Sequence, residues 1–398
     1  MSRHGWRLWC GSSWSGSVGE WAKRRLGDII ELRRGFDLPA RLRVHGPYPV
    51  LSSGVTAGWH SEGPVKGPGF VVGRATNLGQ PTWSDCNFWP LNTTLYAADF
   101  KGNHPKFLFH LFEVVDLTGF DSGSVQPMLN RNYIADVEVR VPDFETQKAI
   151  VKVLGALDDK IAANESVAKA ALALADSLFE QARSSSEERT TIGELAEQNI
   201  IEFGDGYRTK RSEHGKPGLR ILRAGDVRDF QLLPTGGDYV SADYSRQIGG
   251  KASMPGDVVM TTKGTVGRVA VVGAHTEQVV YSPQICYFRV RDIASLGVGC
   301  LAAWFRSPDL TSQTASLMYK SDMAPYINLR DIRSLSMPVF DPSVQHRQSK
   351  LQSGLLDRFD ACCVENESLA RTRDELLPLL MSGKLSVKAA ETVASEVL

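Results

Sequence analysis

The stretch VPDFETQKAIVKVLGALDDKIAANESVAKAALALADSLFEQ, residues 141–181, decides how the rest of the chain is read. Ile150, Leu154, Leu157, Ile161, Asn164, Val167, Ala171, Leu174 and Leu178 recur by threes and fours, the seam of a helix packed along its length on another helix. At about 1.5 Å per residue the pattern predicts a helix of roughly 57 Å, far longer than an average globular helix, and it demands an equally long partner. That partner is MPVFDPSVQHRQSKLQSGLLDRFDACCVENESLARTRDELLPLL, residues 337–380, with the same Pro, Phe, Gln, Asn-Glu-Ser and closing leucines in the same order. Its predicted seam runs Leu351, Leu355, Phe359, Cys362, Asn366, Leu369, Arg373, Leu376 and Leu380. Asp341 is its expected N-cap, Pro342 its first residue, Pro378 a kink or end and Gly383 a stop. Asn164 and Asn366 fall on the two seams, where a polar residue costs stability and can fix register.

The repeat extends beyond the helices. RLGDIIEL returns as TIGELAEQ, PVLSSGVTAG as RILRAGDVRD, GFVVGRATNLG as GDVVMTTKGTVG, and VQPMLNRNYI as MAPYINLRDI. These short apolar runs bounded by Gly and Pro predict strands, with PKFLFHLFEVV as a helix. The fold class is therefore α+β: two globular domains in tandem, each followed by a long helix, the helices pairing as an antiparallel, pseudo-twofold coiled coil. The boundaries are a disordered or loosely attached leader at 1–20, a first domain at 21–141, a helix at 142–185, a second domain at 186–337, a helix at 338–385 and a tail at 386–398.

The 398 residues carry 45 Lys and Arg against 45 Asp and Glu, so bulk charge does not announce a nucleic-acid binder. No run of about 18 apolar residues predicts a membrane span. Six cysteines without C-x-x-C spacing predict reduced thiols and a cytoplasmic protein.

Catalytic motifs are scarce. There is no G-x-x-x-x-G-K-[ST], no G-x-G-x-x-G after a strand, no H-E-x-x-H and no G-x-S-x-G. Asp143, Asp158 and Lys160 imitate the order of a metal-dependent nuclease, but Asp158 and Asp159 fall inside the helical pattern and predict a solvated helix face. The cationic candidates lie in Gly-rich loops: Arg74 and Asn77 in GRATNLG, Lys263 and Arg268 in TKGTVGR, and Arg208, Lys210 and Arg211 in DGYRTKRSEHGK. Gln126 and Arg131, with Lys320 and Arg330, occupy the matched closing segments. Lys and Arg on exposed loops hold backbone phosphates, and Arg, Asn and Gln read base edges. Asn130 and Asn328 fit helix caps equally well.

The VPDFETQKAIVKVLGALDDKI helix start, the LLPLLMSGKL ending and the duplicated plan between them resemble the specificity subunit of type I restriction-modification systems. The resemblance implies two target-recognition domains, each reading one half of a bipartite site in double-stranded DNA, with the helices fixing the spacer. It implies that the helix pair, with Leu154, Leu157, Ile161, Asn164, Leu355, Phe359, Asn366 and Leu376 on its seam, docks two modification subunits and is joined by restriction subunits. It further implies no catalytic residue, metal or cofactor in this chain: S-adenosylmethionine, ATP and Mg belong to the partners. The competing expectation is a coiled-coil scaffold whose two heads bind ligands other than DNA.

Overall fold

The computed structural model describes residues 21–75, 77–117, 119–122, 128–318 and 325–398, the side chains of residues 121 and 122 excepted. They fall into two compact units, one running to Ile161 and resuming at Glu367–Leu398, the other Ala162–Asn366. Each unit therefore holds a globular domain together with a portion of both long helices, which differs from boundaries drawn at the helix ends.

The first unit has a four-stranded antiparallel sheet in the order Glu31–Arg34, Thr94–Asp99, Gly69–Gly73 and Pro81–Ser84. Beside it lies a three-stranded sheet in the order Val55–His60, Tyr48–Ser52 and Trp89–Pro90, whose last pair is parallel. The second unit repeats this order. Its four-stranded sheet runs Ile201–Asp205, Ile285–Val290, Val258–Thr261 and Val269–Val271, and its three-stranded sheet runs Tyr239–Ser241, Gly218–Leu222 and Val279–Tyr281, again ending on a parallel pair. The inner strands are apolar on both faces because both faces are covered, so Gly69–Gly73 and Val258–Thr261 are buried throughout. Each domain closes on a short antiparallel neck, Ala22–Arg25 with Glu138–Val141 and Arg189–Thr191 with Ser336–Pro338. The predicted helix is present at Pro105–Val114.

The long helices are Phe144–Arg183 and Pro342–Met381, 40 residues each and about 60 Å long. In the second unit Gln348 Nε2 donates to the Leu178 carbonyl at 3.1 Å and Gln352 Nε2 to that of Ala175 at 2.9 Å, so numbers rise on one helix as they fall on the other: the pairing is antiparallel. In the first unit Ile150, Leu154 and Leu157 share one core with Leu369, Leu376 and Leu380.

Three expected seam positions are exposed. Val167 and Leu174 are 37% and 51% exposed, and the buried residues are Ala168 and Ala175. The seam alternates strictly by four and three (157, 161, 164, 168, 171, 175), as a helix wound to 3.5 residues per turn must, and that alternation sets the side-chain size aside. For the same reason Leu351 is exposed while Gln348 and Gln352 are buried, their amides bonded to the facing helix.

Pro378 sits in the last turn of its helix, which ends three residues later at Met381. Gly383, at φ 69°, then provides the stop, its N–H reaching the Leu380 carbonyl and that of Lys384 the Leu379 carbonyl. The stretch expected as a tail forms a helix, Val387–Ser395, and buries Ala390 and Ala394 in the core of the first unit. Small residues hid that face, because two alanines and flanking valines read as weakly as a tail does. Residues 1–20 lie outside the described residues.

Candidate nucleic-acid interface

In both domains the loop leaving the first strand of the four-stranded sheet starts at a glycine. Gly35 N–H donates to Thr94 at 3.1 Å and Gly206 N–H to Ile285 at 3.0 Å; the next residues, Phe36 and Tyr207, donate to Pro90 at 2.8 Å and Tyr281 at 2.7 Å. A Cβ on Gly35 would stand 2.2 Å from the Leu91 carbonyl oxygen, and one on Gly206 2.1 Å from that of Ser282. Only glycine permits this approach. The loops then run to Tyr48–Ser52 and Gly218–Leu222, each through one 3-10 turn, Ala40–Leu42 and Arg211–Glu213.

The second loop is anchored from beneath. Buried Glu213 accepts the Lys210 backbone N–H at 3.0 Å, and burial, followed by the same carboxylate, raises the Tyr207 phenol above its usual range. Arg208, Lys210 and Arg211 are exposed above this anchor, with no ion-pair partner among the described residues. Such a rigidly held row of free cations suits a polyanion.

The predicted hairpin turns are also matched. Gly73 and Gly79 exchange bonds with Gln80 and Gly73 as Thr261 and Gly267 do with Arg268 and Thr261, so Arg74 corresponds to Thr262. Arg74 is half-buried. Its guanidinium is shifted below the usual value by burial and then by the charge of Arg34, a neighbour not among the predicted residues. The signal available for Arg34 was its place one residue before the repeated glycine. Asn77 sits at φ 45° and its amide donates to the Ser53 carbonyl at 3.1 Å, so it braces two turns. Lys263 is exposed, whereas Arg268 is half-buried and reaches the Val227 carbonyl at 3.4 Å.

Arg131 and Arg330 are gathered elsewhere. They stand on the short helices Arg131–Ile134 and Leu329–Arg333, capped by Asn130 and Asn328. Arg131 lines a cleft of about 310 Å³ with Lys101 and Asn132; Arg330 lines one of about 830 Å³ with Arg291 and Arg333. Those two arginines are paired to Glu202 and Glu197, and no ion pair joins Arg330 among the described residues. Gln126 and Lys320 lie outside the described residues.

On the helices, Asn164 is 2% exposed and donates to Glu365 at 2.8 Å and to Asn366 at 3.0 Å. Leu154, Leu157, Phe359 and Leu376 are buried, whereas Ile161 and Leu355 are half-buried. Asp158, expected on a solvated face, instead takes Arg373 of the facing helix at 3.0 Å. Asp143 caps the first helix through the Thr146 N–H at 2.9 Å. Fifteen helical positions, about 22 Å, separate these carboxylates, so they cannot share a metal. Among the described residues no group of His, Cys, Asp and Glu could hold a metal ion, and no helix is long and apolar enough to cross a membrane.

A duplicated α+β domain is thus carried on a pair of 40-residue helices, with exposed cations on its turns and loops. Residues 19–172 match the family model of the type I restriction modification DNA specificity domain. The chain is 20% identical to the type I restriction enzyme MjaVIII specificity subunit of Methanocaldococcus jannaschii, over 93% of this chain and 94% of the relative. Its fold is that of the type I restriction-modification S subunit from M. genitalium, with TM-score 0.61 and 17% identity over 93% of this chain and 98% of that one. Residues 19–172 are thus similar to a type I DNA specificity domain, and nearly the whole chain is similar to a specificity subunit of that kind, so a scaffold with non-DNA heads is not favoured.

Proposed function

We propose that each domain reads one half of a bipartite site in double-stranded DNA, and that the antiparallel helix pair fixes the spacer and docks the adenine methyltransferase and restriction subunits. Sequence choice then resides in this chain, while S-adenosylmethionine, ATP and Mg act on partner subunits in the cytoplasm. The observation carrying this reading is that one strand order is built twice with different residues on its loops. Two similar readers carrying unlike side chains suit a site with unlike halves. Zero net charge is compatible with DNA binding where partner subunits neutralise much of the backbone. Exchanging residues 186–337 for the corresponding domain of a relative, in cells that also carry the modification subunit, tests it. Methylome sequencing is expected to show one half of the motif changed and the other half and spacer kept; an unchanged motif would sink the proposal.

A further inference from the structure

The two domains, alike in strand order, differ in charge at one spot. Arg34 ends the first strand of the four-stranded sheet and Arg74 follows the end of Gly69–Gly73, so they flank the turn at residues 93 and 94. The Gly35 N–H donates to Thr94 and the Arg74 N–H to Thr93, at 3.1 and 2.9 Å. The preceding Arg33 is taken by Glu31 at 2.7 Å, but no carboxylate pairs with Arg34 or Arg74 among the described residues. Arg34 and Val72 both pair with Leu95, so Arg34 and Arg74, two residues past Val72, stand at one end of the sheet, and two guanidinium groups there without a counter-ion favour a bound anion.

In the second domain the same backbone positions are Asp205, which accepts Lys251 at 3.2 Å, and Thr262, which is buried with its hydroxyl on the Gln284 carbonyl. No cation pair exists there. The unpaired charge is displaced to Arg208, Lys210 and Arg211 on the loop that starts beside it.

We propose that Arg34 and Arg74 form a seat for a DNA backbone phosphate in the first domain, a seat the second domain lacks and replaces with its loop cations. The proposal rests on the reading that this chain binds DNA. The test uses the complex of the full chain with its modification subunit, titrated with duplex carrying the methylated motif at a series of salt concentrations. The double variant Arg34→Gln, Arg74→Gln is expected to bind on the order of tenfold more weakly, to lower the slope of log affinity against log salt by about one, and to methylate the same motif. Arg34→Lys with Arg74→Lys is expected to keep most of the slope, and Arg25→Gln, in the neck and paired to Asp136 just before it, to change nothing. An unchanged slope in the Gln variant, or loss of the slope in the Lys variant, would overturn the phosphate seat while leaving DNA recognition intact. Relaxation of one half of the motif would also overturn it, by showing that the pair reads bases. Absence of sequence-dependent binding by the wild-type complex would overturn the seat and the functional reading together.

Discussion

Asp143 is one of three residues that look catalytic in order, and its neighbours give it another task. Its carboxylate accepts the Thr146 N–H and hydroxyl, and those bonds hold it below the usual carboxylate range. A depressed folded value means that the cap's contribution is complete above the ordinary pKa of 3.8 and is lost as pH falls through the lower folded one. Asp143→Ala is therefore expected to weaken the first turn of Phe144–Arg183 by on the order of 1 kcal/mol near neutral pH and by progressively less in acid, read by amide exchange over that turn. Equal effects at both extremes would contradict a charge-dependent cap. At this scale the sequence was partly legible. Asn130 and Asn328 were readable as caps because the three residues after each fit a short helix, whereas Arg34 was not readable as a partner of Arg74 because strand pairing alone brings them together.

The long helices show what periodicity specifies and where it slips. Apolar residues at threes and fours located both helices, but Val167 and Leu174 drew the predicted seam one position early. Only the facing helix decides between a valine and the alanine beside it, and the strict 3.5-residue repeat chose Ala168 and Ala175. Asn164 kept its predicted place. It is nearly sealed from water and spends both amide hydrogens on Glu365 and Asn366, a pair that no neighbouring register offers. Asn164→Leu is expected to cost about 1–3 kcal/mol, because polar groups across the seam lose a partner, and Asn164→Leu with Asn366→Leu to recover much of it. Denaturant midpoints of the single and double variants check this; a single variant more stable than the wild type would show that the asparagine bonds are worth less than the leucine they displace.

For the molecule, the most consequential surprise is the far C-terminus. Residues 386–398 carry no seam and were expected as a tail, yet Ala390 and Ala394 are buried in the same core as Leu154 and Leu376. Ending the chain after residue 385 is expected to lower exchange protection in the first unit by on the order of 2 kcal/mol and to leave the second unit as it was. A uniform loss, or none, would contradict that placement. By itself the sequence determined the duplication, the α+β class and the two long helices, because each is written in order and period, and these survive without knowledge of what touches what. The tertiary structure alone decided which residue of each helical pair is buried, that Asp158 meets Arg373, that Asn77 braces a turn and that the strands bearing Arg34 and leading to Arg74 flank the same residue, Leu95. Those depend on contacts between segments distant in the chain, where packing and charge overrule local pattern.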